Sequence, residues 1–169
     1  PDIDGLVDMN CDKQLIVACF GDSITSGVGD EQRQGGFPGR LEFLFPNSVI
    51  LNLGAPGEQT AFGRMRASSI IVLEGVNDAT APTASVNATT KNLLSIVSSA
   101  NRHRAIVMLG TLLHSYRGNQ YSWVRAVNAQ IRPWAALDFY ALGSSILSGD
   151  RLHPDAAGYQ QMADLIANT

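Results

Sequence analysis

The chain has 169 residues, of which 45% are apolar, and its formal net charge is −3. That length suits one domain able to bury most of the surface that its unfolded chain would expose, so we expect a single domain over residues 1–169. The 12 Lys and Arg residues are scattered and no apolar stretch approaches the roughly 20 residues that span a bilayer, which argues against a nucleic-acid partner and a transmembrane segment.

The first element in chain order is a predicted strand over residues 15–20, Leu-Ile-Val-Ala-Cys-Phe, bounded by Gly21. An unbroken apolar run of this kind is typical of a strand buried on both faces of a parallel sheet. Residues 1–14 before it are polar, lack a basic-then-apolar signal pattern and are expected to form a surface lead-in, which leaves the compartment open.

The turn after this strand is the most informative stretch of the sequence. Gly21 permits a sharp turn, and Ser23 is then delivered to the crevice that open α/β sheets form at the carboxyl ends of their strands. A hydroxyl at that place can act as a nucleophile. Gly-Asp-Ser is also an ordinary turn and helix start, so this motif alone does not establish catalysis.

Strands and helices alternate along the rest of the chain. The predicted helices cover residues 37–45, 60–67, 84–102, 124–134 and 156–167, and the further strands cover 48–52, 69–74, 105–109 and, more weakly, 137–140. This alternation predicts a three-layer α/β/α fold of flavodoxin-like architecture, with a central parallel sheet of about five strands.

Four polar turns follow the apolar runs or open a helix, and a parallel sheet gathers its strand ends at one edge. In one of them, Asp150 and His153 are three residues apart and Pro154 follows, which suits the first position of the closing helix. The carboxylate could accept a hydrogen bond from one ring nitrogen while the other ring nitrogen faces Ser23. The alternative is that both side chains only cap the helix.

The two middle turns supply hydrogen-bond donors. The Asn77 side chain is a neutral donor suited to a developing oxyanion, and the amide of Gly57 can approach a substrate closely because no side chain blocks it. Both residues are also ordinary turn formers. Asp22 and Asp78, each next to one of the candidate residues, are expected to stabilise their loops by accepting from backbone amides.

The remaining histidines and the cysteines show no ligand pattern. His103 and His114 have no partner in the sequence and are expected at the surface, so we predict neither a metal site nor a cofactor. A disulfide between Cys11 and Cys19 is possible, but Cys19 in the predicted strand is expected to be a small buried apolar residue.

Taken together, the four turns resemble the GDSL family of serine esterases and lipases, also called SGNH hydrolases. The similar blocks are residues 21–27 (Gly-Asp-Ser-Ile-Thr-Ser-Gly), 52–60 (Asn-Leu-Gly-Ala-Pro-Gly-Glu-Gln-Thr), 75–78 (Gly-Val-Asn-Asp) and 150–154 (Asp-Arg-Leu-His-Pro). They occur in the family's order and span nearly the whole chain.

The resemblance implies a serine ester hydrolase that works through an acyl-enzyme. Ser23 would be the nucleophile, His153 the general base and Asp150 its orienting partner. The oxyanion would be held by the amides of Ser23 and Gly57 and by the side chain of Asn77. Gly57 is chosen over its neighbour at position 54 because the family glycine follows the position of the proline here.

The sequence departs from the family pattern between Gly57 and Asn77, which are only 20 positions apart. This short segment predicts a shallower cleft and a small or short acyl group, on a small-molecule or carbohydrate ester. Tyr116, Tyr121 and Trp123, in a predicted loop, could form a sugar-stacking wall or simply pack.

Two other functions remain open at this point. One is a flavodoxin-type binding module that holds a phosphate at the helix start after Ser23, although the sequence has no Gly-x-Gly-x-x-Gly run and no Walker lysine. The other is a catalytically silent member of the same fold that binds a glycan or a protein partner.

Overall fold

The computed structural model describes residues 15–61, 71–82, 84–102 and 107–169. Within these ranges the sheet has four parallel strands in the order β2-β1-β3-β4. They are β1 (Leu15–Gly21), β2 (Ser48–Gly54), β3 (Ile71–Leu73) and β4 (Met108–Leu109).

The helices follow the predicted alternation. They are α1 (Ser23–Ser26), α2 (Gly36–Leu44), α3 (Val86–Arg102), α4 (Gln120–Ile131) and α5 (Ala156–Ala167). Short 3-10 turns cover Asn77–Thr80, Arg132–Trp134 and Phe139–Leu142. None of the helices in the described ranges is long and apolar enough to cross a bilayer.

The strand order produces the three layers. The chain leaves β1 in one direction to reach β2, and later proceeds through β3 and β4 on the other side of β1. Because parallel crossovers are right-handed, connections that run in opposite directions place their helices on opposite faces of the sheet. Accordingly α2 packs on α5, while α3 packs on α4. The predicted three-layer α/β/α fold is confirmed.

This topology places Ser23 at a special point of the sheet. The neighbours of β1 on its two sides, β2 and β3, are entered from opposite directions, so a crevice opens beyond its carboxyl end. The apolar run of β1 is explained by the same central position, since Cys19 and Phe20 are fully buried between the helix layers. Cys19 is a free thiol, and burial raises its pKa to about 12.

The fifth predicted strand is reduced to a single parallel bridge between Gly110 and Leu137. The Thr111 hydroxyl donates to the Asp138 carboxylate at 3.0 Å and accepts from the Tyr140 amide at 2.9 Å. These side-chain bonds turn the backbone into a 3-10 turn where the ladder would have continued. The described sheet therefore has four strands, and the expectation of about five was too high.

Two other boundaries differ from the prediction. Helix α4 begins at Gln120, so Tyr121 and Trp123 lie on a helix and not in a loop. Helix α5 covers the predicted residues, but its N-cap is Asp155, which accepts from the Gly158 amide at 2.7 Å; Pro154 therefore precedes the helix and is not its first residue.

Some predictions fall on residues outside the described ranges. These are the lead-in 1–14 with Cys11, most of the helical turns at 60–67, the first residues of the third and fourth predicted strands, and His103.

Candidate active site

The turn between β1 and α1 holds Ser23 at the first position of the helix. Gly21 precedes it at a point where a side chain cannot fit: a Cβ there would lie 1.9 Å from the Leu73 carbonyl oxygen and 2.3 Å from the Thr25 hydroxyl. The close approach of β1, β3 and α1 at this glycine sets the position of Ser23, whose side chain is buried in the crevice.

Asp22 caps α1 and is only 1% exposed. Its Oδ1 accepts from the Ile24 amide at 2.9 Å, which confirms the expected loop-stabilising role. Burial raises the pKa of Asp22 to about 7; the amide hydrogen bond lowers it, and the nearby carboxylates of Asp78 and Glu58 add to the rise. This carboxyl group therefore changes charge near neutral pH.

His153 is brought to Ser23 from a position 130 residues further along the chain. The distance from Ser23 Oγ to His153 Nε2 is 2.8 Å. Gly29, in the loop before α2, packs against the base of the imidazole, and a Cβ at that position would lie 2.9 Å from His153 Cβ. The ring is thus held by direct packing as well as by its hydrogen bonds.

Asp150 completes the chain of hydrogen bonds. Its Oδ2 lies 2.5 Å from His153 Nδ1, and its Oδ1 accepts from the Ser148 hydroxyl at 3.0 Å and from the amides of Leu152 at 3.0 Å and His153 at 2.9 Å. Burial alone would raise the pKa of Asp150, but these hydrogen bonds together outweigh it and hold the pKa well below its ordinary value.

The state of Asp150 assigns the proton on the imidazole. An ionised carboxylate only accepts hydrogen bonds, so Nδ1 of His153 carries the hydrogen that lies between them. In the neutral ring Nε2 is then an acceptor, and the Ser23 hydroxyl donates to it. This is the arrangement in which a ring nitrogen can remove a proton from a hydroxyl.

The two middle turns are tied to each other. Asn77 Nδ2 donates to the Glu58 carbonyl oxygen at 2.9 Å. Asp78 accepts from both the amide and the hydroxyl of Thr60, at 2.9 and 2.5 Å, and from the Thr89 hydroxyl at 2.6 Å. The loop-stabilising role expected for Asp78 is confirmed, and two of its three partners are hydroxyl groups.

Gly57 lies in the exposed turn next to Glu58, with a φ of 80° and open space around its Cα.

The structure brings the predicted residues Ser23, His153 and Asp150 into one hydrogen-bonded chain. It also brings Asn77 against Glu58, the residue that follows Gly57. Within the described part of the chain, no hydrogen bond joins Gly57 or Asn77 to Ser23.

Arg117 is a residue of this site that the sequence analysis did not identify. Its Nε donates to the Asp150 carbonyl oxygen at 3.0 Å and its Nη2 to Asp150 Oδ2 at 3.1 Å. The two residues are 33 positions apart and belong to different elements, so no local pattern connects them.

His114 and the aromatic residues named in the sequence analysis pack against neighbouring groups. His114, expected to be a surface residue without a partner, is half-buried and stacks on Tyr140 at 3.8 Å between ring centroids; burial lowers its pKa. Trp123 donates its indole hydrogen to the Gly75 carbonyl oxygen at 3.3 Å, and so packs against the third turn. Tyr116 stacks on Tyr121 at 5.2 Å.

A cavity of about 300 Å³ opens beside the Asp150 turn. It is lined by Tyr116, Ser144, Leu147, Ser148 and Arg151. Among the residues that the structure describes, no group of three or more His, Cys, Asp or Glu side chains is arranged to hold a metal ion.

Comparisons with known proteins identify the family and the fold. The profile of the GDSL-like Lipase/Acylhydrolase family matches residues 19–161. A solved member of the lipolytic G-D-S-L family from Veillonella parvula has a TM-score of 0.75 and 22% identity, and the alignment covers 92% of this chain and 97% of that chain.

Two solved esterases have the same fold. A psychrotrophic esterase from Pseudoalteromonas has a TM-score of 0.65 at 18% identity, covering 90% of this chain and 94% of that chain. A mutant of an acetyl-xylooligosaccharide esterase from Geobacillus has a TM-score of 0.67 at 16% identity, covering 91% and 93%. No curated protein matches the sequence significantly.

Proposed function

The chain belongs to the GDSL-like lipase/acylhydrolase family, and from this premise we propose that it is a serine ester hydrolase acting through Ser23, His153 and Asp150. The observation that carries the proposal is the continuous hydrogen-bonded chain from the Ser23 hydroxyl through both nitrogens of His153 to the Asp150 carboxylate. This is the order of groups that nucleophilic attack by a hydroxyl requires, with the lowered pKa of Asp150 keeping the last of them ionised.

The reaction follows from this arrangement. His153 Nε2 accepts the Ser23 proton as Oγ attacks the ester carbonyl carbon, and the Asp150 carboxylate stabilises the imidazolium that forms. The tetrahedral intermediate collapses when His153 returns the proton to the departing alcohol, which leaves the acyl group on Ser23. Water then attacks the acyl-enzyme by the same route and releases the acid.

We assign the oxyanion site to the amides of Ser23 and Gly57 and the side chain of Asn77. The Ser23 amide lies at the first turn of α1, where amide hydrogens lack helical partners. Asn77 Nδ2 carries two hydrogens, and the bond to Glu58 uses one of them and fixes the orientation of the group. The second hydrogen is then a preorganised donor for the developing charge.

We propose a small or short acyl group as the substrate. The short segment between Gly57 and Asn77 supports this assignment because it supplies little chain to build a deep acyl cleft. The similar fold of an esterase of acetylated xylooligosaccharides is consistent with an acetyl ester of a sugar.

The identity of the nucleophile is tested with p-nitrophenyl acetate and a fluorophosphonate probe. We expect Ser23→Ala to lower turnover by at least about 1000-fold and to abolish covalent labelling, because removing one member of a triad disables the unit. Ser122→Ala is the matched control, since its hydroxyl donates to the Asn119 carbonyl oxygen on the exposed side of α4. A Ser23→Ala protein that hydrolysed the ester at the parent rate would contradict the proposal. A wild-type protein that neither hydrolysed the ester nor took up the probe would favour a silent binding protein.

Acyl preference is tested separately by initial rates on acetyl, butyryl and octanoyl p-nitrophenyl esters and on acetylated xylan. We expect kcat/KM to fall as the acyl chain lengthens, because a shallow cleft cannot bury the added methylene groups. A preference for the octanoyl ester would overturn the assignment of a short acyl group and leave the assignment of Ser23 intact.

A further inference from the structure

The carboxylate of Asp150 receives hydrogen bonds on both oxygens, and the two sets of partners differ. Oδ1 accepts three bonds from its own turn, from Ser148, Leu152 and His153. Among the described residues, Oδ2 is hydrogen-bonded to two groups, Nδ1 of His153 and Nη2 of Arg117. The oxygen that contacts the proposed base is therefore shared with an arginine from another element.

Arg117 holds Asp150 by its main chain as well as by its side chain. Nε donates to the Asp150 carbonyl oxygen while Nη2 donates to the carboxylate, so one planar guanidinium spans both groups. The neighbouring residue adds a third bond between the same segments, from the Tyr116 amide to the Arg151 carbonyl oxygen at 3.0 Å. The arginine thus fixes the turn that carries Asp150 and His153 through hydrogen bonds.

The segment that carries Arg117 is itself anchored. Ser115 is buried and donates its hydroxyl hydrogen to Gln120 Oε1 at 2.6 Å, which joins the segment to the first residue of α4. The Arg117 side chain is 50% exposed, so its hydrogen bonds to Asp150 lie at the solvent-exposed edge of the site and not in the core.

We propose that Arg117 is a positioning residue for the ester hydrolysis proposed above, on which this inference rests. Its two hydrogen bonds to Asp150 hold Oδ2 against Nδ1 of His153. This contact keeps the ring in the orientation in which Nε2 faces the Ser23 hydroxyl.

The test compares kcat and KM for p-nitrophenyl acetate hydrolysis in the full chain. With Arg117→Gln we expect kcat to fall roughly 3-fold to 10-fold with little change in KM, since the loss concerns orientation of the base. Arg117→Lys keeps the positive charge but cannot form the pair of hydrogen bonds to the Asp150 carbonyl oxygen and carboxylate, so its kcat should also be low.

The chain offers a matched control in Arg132, which pairs with Asp138 at the same 3.1 Å and is 54% exposed. Arg132→Gln should leave both kcat and KM at wild-type values. If the kcat values of Arg117→Gln and Arg132→Gln both equal that of the wild type, Arg117 does not position the base.

A readout without turnover separates this inference from the proposed function. In the proton NMR spectrum of the Ser23→Ala protein, the hydrogen between His153 Nδ1 and Asp150 should give a far-downfield resonance that is lost or broadened when Arg117→Gln is added. An unchanged resonance would count against Arg117 whatever the activity. Wild-type protein that does not hydrolyse esters would count against the proposed function, and the resonance would still decide the role of Arg117.

Discussion

Two aspartates near the Ser23–His153 pair have opposite electrostatic environments. Asp22 is fully enclosed and accepts a hydrogen bond from one amide, so the pKa of its carboxyl group rises to about 7. Asp150 accepts several hydrogen bonds at the edge of the site, and its pKa is held far below the ordinary range. Residue type alone therefore does not decide which carboxyl group stays ionised. That depends on how many hydrogen-bond donors face the carboxylate and on how deeply it is buried.

The raised pKa of Asp22 predicts a stability change with pH. The folded protein keeps this proton up to about pH 7, while the unfolded chain loses it near the ordinary value of 3.8, so the free energy of unfolding falls as pH rises between these values. Asp22→Asn removes the ionisation and can still accept from the Ile24 amide. We expect the variant to gain about 4 kcal/mol over the wild type between pH 4 and pH 8, measured by urea unfolding, since the pKa difference is about three units and each unit is worth about 1.4 kcal/mol.

The control for this prediction is Asp164→Asn, at an exposed position of α5. Its stability difference from the wild type should be nearly the same at both pH values. An Asp22→Asn protein whose stability difference is equally constant would show that the Asp22 carboxylate is already solvated or compensated in the folded state.

At the scale of elements, the loop between α1 and α2 is organised by one buried ion pair. Asp30 accepts from Arg40 through both carboxylate oxygens, at 2.7 and 3.0 Å, and from the amides of Gln34 and Gly36. The hydrogen bonds from Arg40 keep the pKa of Asp30 below its ordinary value. The Arg40 guanidinium also lies 5.7 Å from the Tyr159 ring centroid, which links the loop to α5.

Burial determines how much this ion pair contributes. The Arg40 side chain is 2% exposed and that of Arg132, in the Asp138 pair, is 54% exposed. Arg40→Leu leaves a buried carboxylate without its cation, and we expect it to destabilise the fold by about 3 to 5 kcal/mol. Arg132→Leu should cost about 0 to 1 kcal/mol, because water solvates the remaining carboxylate. Equal urea midpoints for the two variants would contradict this account.

The elements also show how far a sequence pattern predicts structure here. The apolar run of β1 and the bounds of α5 were predicted correctly, since both depend on burial patterns that are visible over a few residues. The fifth strand was not, because its loss depends on the Thr111 hydroxyl, 26 positions before Leu137, which captures the Tyr140 amide. A competing side-chain bond from a distant element leaves no periodic signal.

At the scale of the whole molecule, the meeting of Ser23, Asp150 and His153 was predictable from topology. Parallel strands bring their carboxyl ends to one edge, so polar turns that follow apolar runs are expected to meet there. Arg117 was not predictable in the same way, because its partner is 33 positions away and nothing in its own sequence neighbourhood marks it. The meeting of the turns follows from the fold, whereas the contacts that hold each side chain in place cannot be predicted from the sequence.

The hydrogen bond between Ser23 and His153 joins residues that are 130 positions apart. During translation Ser23 is therefore synthesised long before Asp150 and His153. Under the proposed function, a nascent chain that has folded only its first strands would hold an inert hydroxyl, and the site would be complete only when the turn with Asp150 and His153 lies beside Ser23. Hydrolytic activity would thus report that the C-terminal turn has docked, and a chain truncated before Asp150 would lack it.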